Sequence, residues 1–209
     1  LIANQVAIIA DQVFSFPYET LTPGVAWLGV LCYTLQIYFD FSGYSDMAIG
    51  IGRMFGFHFL ENFNYPYISR SIREFWRRWH ISLSSWFRDY LYIPLGGSRG
   101  GRWMQTRNVM IIFLVSGFWH GANWTFIIWG GLNGLYLIME VLIERPKRKL
   151  MQLVGMSASG WTFKYLSVGA TFALTCLAWI FFRANSLGDA FYIVGHLGDG
   201  LGDFARAVA

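Results

Sequence analysis

The chain has histidines at positions 58, 80, 120 and 196, and two of them stand where an imidazole could do chemistry. His120 lies within Ser116-Gly117-Phe118-Trp119-His120-Gly121-Ala122-Asn123-Trp124, part of a run from Val109 to Ile143 that is otherwise mostly apolar or small. A ring there is costly to bury unless it is hydrogen-bonded or used. Neutral at pH 7, it could accept a proton as a general base. Gly117 and Gly121 bracket it and leave room for a second backbone or a substrate. The structural alternative is a hydrogen-bonded core histidine, and spacing alone leaves both open.

His80 belongs to a different pattern. Arg73, Arg77, His80, Ser84 and Arg88 form one stripe, and Ile72, Phe75 with Trp76, Trp79, Leu83, Trp86 with Phe87, and Tyr90 form the opposite one. This periodicity predicts a single amphipathic helix over 71–92 with a basic face, too polar to span a bilayer and suited to its interface or to burial against protein. Arg70, Arg73, Arg77, Arg78 and Arg88 could hold phosphates by paired hydrogen bonds; plain positive-inside anchoring is the other reading. Arg70 with Glu74, and Glu74 with Arg78, have the i, i+4 spacing of helical ion pairs.

Other chemistries lack their signatures. No two histidines have metal-ligand spacing, and H-E-x-x-H, G-x-S-x-G and P-loop motifs are missing from the sequence, so no metal is expected. Gly50 to Gly56 only superficially resembles a dinucleotide loop, with no β-α-β pattern around it, and reads as helix packing. Cys32 and Cys176 sit far apart in apolar segments and read as small packing residues.

The elements that must position these groups are those of a membrane protein. Of 209 residues, 55% are hydrophobic, 19% aromatic and 13% charged, against about 25% charged in soluble domains. Eight of the 16 Lys and Arg residues lie between Arg70 and Arg107, and all eight are Arg. Embedded among Trp, Phe and Tyr, they point to lipid headgroups or a phosphorylated cosubstrate rather than nucleic acid. The chain opens at Leu1 inside an apolar stretch without a signal pattern, and is read as the C-terminal portion of a longer polytopic protein, one membrane domain over 1–209.

Residues 1–16 read as the end of a span or an interfacial helix, and 25–39 as a transmembrane helix leading into Asp40-Phe41-Ser42-Gly43-Tyr44-Ser45-Asp46. Gln36, Asp40 and Tyr44 share a helical face suited to a bundle interior or a wet cavity, and Asp40 and Asp46 read as partners of arginines elsewhere. Residues 60–67 form a loop. From Arg107 to Glu144 the run would be roughly 57 Å long as a helix, nearly twice a hydrocarbon core of about 30 Å. It must break, at 121–123 or at Gly130-Gly131. With Arg99, Arg102 and Arg107 before it and Arg145, Lys147, Arg148 and Lys149 after it, both ends stay cytoplasmic. The run therefore enters and returns as a re-entrant hairpin with His120 near its apex. A loop over 151–159, a further span over 161–182 and a weakly amphipathic tail from Leu187 complete an all-α bundle.

Three runs carry a family resemblance: FDFSGYSDMAIGIGRMFGF, NFNYPYISRSIREFWRRWHISLSSWFRDYLYIPLGG and FLVSGFWHGANWTFIIWGGLNG. Together, over about 33–145, they resemble the membrane-bound O-acyltransferase family, and within it the bacterial branch that acetylates exported polysaccharides such as alginate. The resemblance implies a many-helix membrane enzyme with a mid-membrane chamber, of which this chain is a part. It implies that His120 is the essential histidine and His80 the second active-site position, filled by Asn or Asp in some eukaryotic relatives. Arg73, Arg77, Arg78, Trp76 and Asn123 complete the candidate donor-binding set. Acetyl-coenzyme A is the expected cosubstrate, with no bound cofactor. The expected partners are membrane lipid, a periplasmic acetyltransferase and a polysaccharide acceptor, and the location the bacterial inner membrane. D-alanyl transfer to teichoic acid and peptidoglycan O-acetylation are alternatives. A transporter or channel lined by Asp40, Asp46 and the histidines is an alternative of another class, although no internal repeat supports it.

Overall fold

The computed structural model describes residues 2–15, 21–153 and 160–199, and among these the regular structure is entirely helical. The helices are α1 (Ile2–Phe14), α2 (Pro23–Met54), α3 (Ile72–Arg78), α4 (Ile81–Phe87), α5 (Gly101–His120), α6 (Trp124–Leu153), α7 (Trp161–Arg183) and α8 (Leu187–His196), with a 3-10 turn at Pro66–Ile68 and a π turn at Arg88–Tyr92. Pro23–Met54, Trp124–Glu144 and Trp161–Arg183 are long and apolar enough to cross a membrane.

The chain forms two compact units, divided inside α2 and α7. The first holds α1, the start of α2, the end of α7 and α8. Gly29 of α2 lies so close to Val13 of α1 that any side chain there would strike it. Cys32 and Cys176 are buried and unlinked, as packing residues should be, and Thr34 Oγ1 lies 3.5 Å from Cys176 Sγ. Arg183 pairs with Asp11 and lies over the Phe14 ring. The face of Gln36, Asp40 and Tyr44 is divided, with the Gln36 side-chain oxygen buried. Asp40 and Tyr44 are exposed, and neither Asp40 nor Asp46 makes an ion pair among the described residues. Instead of ending near Phe39, α2 runs unbroken to Met54.

The second unit, residues 45–175, carries the candidate site. Its centre is the α5–α6 hairpin. Gly117 lies against the Phe126 carbonyl, Gly130 against the Phe113 carbonyl, and Gly134 against Met110. These pairs run in opposite directions along the two helices, which makes the hairpin antiparallel and brings its backbones together where a Cβ would not fit. The break falls at 121–123 and not at Gly130-Gly131, because Asn123 Oδ1 accepts from Thr125 N at 3.1 Å and so starts α6. α6 then continues through Pro146 to Leu153, beyond the expected loop start at 151; residues 154–159 of that loop lie outside the described residues. At the other end, buried Asn108 donates to the carbonyls of Leu95 and Gly97 and tethers the loop before α5.

The predicted single helix over 71–92 is instead three pieces. Ser71 caps α3 by accepting from Glu74 N at 3.1 Å, and Glu74 accepts from Arg70 N at 2.8 Å. Glu74 therefore bonds the Arg70 backbone instead of its side chain, while the expected pair with Arg78 forms at 2.8 Å. The helix then stops at Trp79, whose ring stacks on Phe75 and meets Phe63 edge-on.

Candidate active site

His80 begins α4 with φ 47 and ψ 55, a left-handed conformation that costs a residue with a Cβ on the order of 1 kcal/mol or more. The loop before α3 enforces it. Ile81 N donates to Asn62 O at 3.0 Å, Asn64 N donates to Arg78 O at 2.9 Å, and Arg78 Nη1 returns a bond to Asn64 O at 3.1 Å. Two strands of backbone are thus cross-linked on either side of the kink. The ring of His80 is half-buried, with Nδ1 3.2 Å from Asn62 Oδ1.

The kink and the hairpin enclose a cavity of about 320 Å³. Arg73, Trp76, Arg77 and His80 line it from α3 and the kink, Ser84 and Arg88 from beyond it, and Phe113 and Ser116 from α5. Arg88 is paired with Asp89 at 2.7 Å. Arg73 is partly answered by Glu140 of α6, which accepts from Arg73 N at 3.2 Å and faces its Nε at 4.0 Å. Arg77 makes no ion pair among the described residues, so its charge is available to a ligand. The Trp76 Nε1–H is buried without an acceptor, a donor whose burial is costly until something binds it.

His120 is the last residue of α5, at the hairpin tip. Its ring meets Trp129 edge-on at 5.2 Å, and Trp129 meets Trp76 edge-on at 5.9 Å. Trp129 is only 2% exposed. It packs between the His120 ring and Trp76, and Trp76 lines the cavity, as does Ser116, one turn before His120. Burial, with the nearby His120 ring as a second cause, holds His80 down to about 4, from an ordinary value of 6.5.

His80, Arg73, Arg77 and Trp76 therefore line one cavity. Three residues of the expected set do not: His120 packs on Trp129 instead, and Arg78 and Asn123 are committed elsewhere. Arg78 turns away, its guanidinium held by Glu74 and the Asn64 carbonyl. Asn123 is exposed and caps α6. Spacing missed Glu140 and Asn62, whose partners are 67 and 18 residues away; a carboxylate within the apolar part of α6 was the available signal for Glu140. Among the described residues no three His, Cys, Asp or Glu side chains assemble a metal site.

The depressed value gives a testable sign. His80 takes its proton near pH 4 when folded and near 6.5 when unfolded, so it is neutral at pH 7 and acid lowers stability progressively from about 6.5 towards 4. In a histidine-labelled sample, the midpoint of His80 is expected near 4, and His120→Gln is expected to raise it by removing one repulsive source. A midpoint near 6.5 in both proteins would contradict this burial.

The fold and site define a helical membrane protein with one histidine in an arginine-lined cavity and a second packed behind its Trp76 side. The chain matches the membrane-bound O-acyltransferase family over residues 21–187 and belongs to it. It is 53% identical over 90% of its length to the probable alginate O-acetylase AlgI of Azotobacter vinelandii and 51% identical over 89% to that of Pseudomonas syringae pv. tomato. It is 45% identical over 93% of its length to the peptidoglycan O-acetyltransferase of Helicobacter pylori. The chain spans about a third of the length of these relatives, 35%, 33% and 35% respectively.

Proposed function

We propose that this chain supplies the reaction centre of an O-acetyltransferase that takes acetyl groups from cytoplasmic acetyl-coenzyme A and passes them towards an exported polysaccharide such as alginate. The observation that carries the reading is the placement of His80 in a cavity lined by Arg73, Arg77 and Trp76, with His120 packed on Trp129, which meets Trp76 edge-on. The phosphates of the donor lie against Arg77 and Arg73, and the Trp76 indole N–H donates to the bound acyl portion. His120 removes the proton of the attacking hydroxyl as its oxygen bonds to the thioester carbon. The carbon–sulfur bond then breaks and the thiolate takes up that proton. His80, neutral at pH 7, orients the hydroxyl. The acetyl group reaches the polysaccharide directly or through a periplasmic acetyltransferase, and the protein sits in the bacterial inner membrane. Peptidoglycan is the second acceptor to consider, favoured by the likeness to the Helicobacter pylori protein.

The test is transfer from labelled acetyl-coenzyme A by the full-length protein in inverted membrane vesicles loaded with candidate acceptors. Acetyl transfer to alginate is expected. Label moving only to peptidoglycan would change the acceptor, and use of a D-alanyl thioester alone would overturn the donor. In the same assay Arg77→Ala and Arg73→Ala are expected to raise the KM for the donor by about tenfold or more each, the loss of one charge-assisted hydrogen bond, with little change in kcat. Arg78→Ala should leave that KM within about twofold, because its guanidinium is already committed elsewhere. Equal effects at Arg77 and Arg78 would remove the cavity as the donor site.

A further inference from the structure

We infer that Asn62 is a positioning residue for His80, which it holds with the proton on Nδ1 and the lone pair on Nε2. The Asn62 side-chain oxygen lies 3.2 Å from Ser82 N, 3.0 Å from Ser82 Oγ and 3.2 Å from His80 Nδ1. A backbone N–H can only donate, so the amide atom facing it is oxygen. The amide nitrogen is then on the other side, where it donates to Ser45 Oγ at 3.2 Å. An amide oxygen carries no proton, so His80 Nδ1 must be the donor in their contact. A neutral imidazole has one N–H, which leaves Nε2 as the acceptor.

Asn62 holds the residue twice. Its main-chain carbonyl accepts from Ile81 N at 3.0 Å, securing the left-handed kink, and its side chain secures the ring. Ser82 Oγ, 3.4 Å from His80 Nδ1, is itself bonded to the Asn62 oxygen and so is drawn into the same clamp. The other charged or titratable groups around the cavity are Arg73, Arg77, Arg88 and Tyr92, with His120 acting from α5. No carboxylate lines it among the described residues. His80 in this state accepts a hydrogen bond at Nε2 from a substrate hydroxyl and cannot donate one there. This role rests on the reading that His80 takes part in acyl transfer; the tautomer itself does not.

The experiment uses the full-length protein labelled with nitrogen-15 histidine, in bilayers at pH 7, with the His80 signals assigned by their loss in His80→Asn. The proton is expected on Nδ1; finding it on Nε2 overturns the inference. Asn62→Asp keeps the acceptor and adds a negative charge, so it should preserve the tautomer and raise the His80 midpoint by about one pH unit or more. The acid limb of kcat should move up with it. Asn62→Leu removes the acceptor: the proton should redistribute towards Nε2 and kcat should fall about tenfold or more with KM unchanged, and Asn62→Asp should recover most of that loss. A residue that only braced the loop would leave the midpoint and tautomer where they are in both variants, which would also overturn the inference. Full activity in His80→Ala with the proton on Nδ1 would defeat the acyl-transfer role of His80 and leave the clamp standing. Lost activity with the proton on Nε2 would do the reverse.

Discussion

His120→Ala in the full-length protein is expected to slow acyl transfer by about 10²- to 10⁴-fold, the range for loss of a positioned general base, with KM little changed and the protein still folded. The fold should survive because the ring is half-buried at the end of α5, where its neighbours are Trp119, Phe126 and Trp129. The close contacts of the hairpin lie one turn or more away, at Gly117 and Gly130. Removing the imidazole therefore takes away chemistry with little packing. A second comparison sharpens the result. If His80 and His120 serve one step, the double variant should be about as slow as the slower single one, because groups that act as a unit are non-additive. Full activity in His120→Ala would sink the mechanism, and multiplied effects in the double variant would separate the two rings into different steps.

The largest effect on folding is expected at the hairpin glycines. A methyl group at Gly117 would fall on the Phe126 carbonyl oxygen, and one at Gly130 on that of Phe113. Both obstacles are backbone within helices, which cannot swing aside as a side-chain tip can. Gly117→Ala and Gly130→Ala should each cost about 1–3 kcal/mol from overpacking, and larger residues should prevent the hairpin from closing. This runs against the ordinary helical preference, by which Ala in place of Gly stabilises a helix interior by about 1 kcal/mol. Gly131 is the internal control, since its nearest neighbour, Leu114 Cδ2, is 3.8 Å from the Cβ position; Gly131→Ala should be neutral or stabilising. Thermal melting in detergent would check the series. Because the hairpin tip carries His120, activity should fall with stability at 117 and 130 and hold at 131. Equal melting of all three variants would mean that the helices are not in backbone contact.

Much of this was legible in the residues. Apolar run lengths located α5, α6 and α7. A run too long for one crossing required a break, with 121–123 as one of two places for it, and the structure chose the one that puts His120 at the tip. The stripe of Arg73, Arg77 and His80 was likewise visible, because a helical face repeats locally.

Periodicity could not show where that helix stops being one. Both stripes continue through His80, and the kink exists because the backbone of Asn62 and Asn64 competes for bonds that a continuous helix would have kept. The same holds for Arg78, which Asn64 and Glu74 draw aside, for Asn123, which is spent on a cap, and for Arg73, which meets Glu140 from another helix. Asp40 and Asp46, read as partners of arginines, lie exposed. The amino-acid sequence by itself thus determined the class of protein, its principal helices and the two histidines, since apolar length, helical period and turn residues act over a few neighbours. Only the tertiary structure decided which arginines face the cavity, that His80 sits on a forced left-handed kink, and which nitrogen of its ring is held, because each of these depends on hydrogen bonds between residues far apart in the chain.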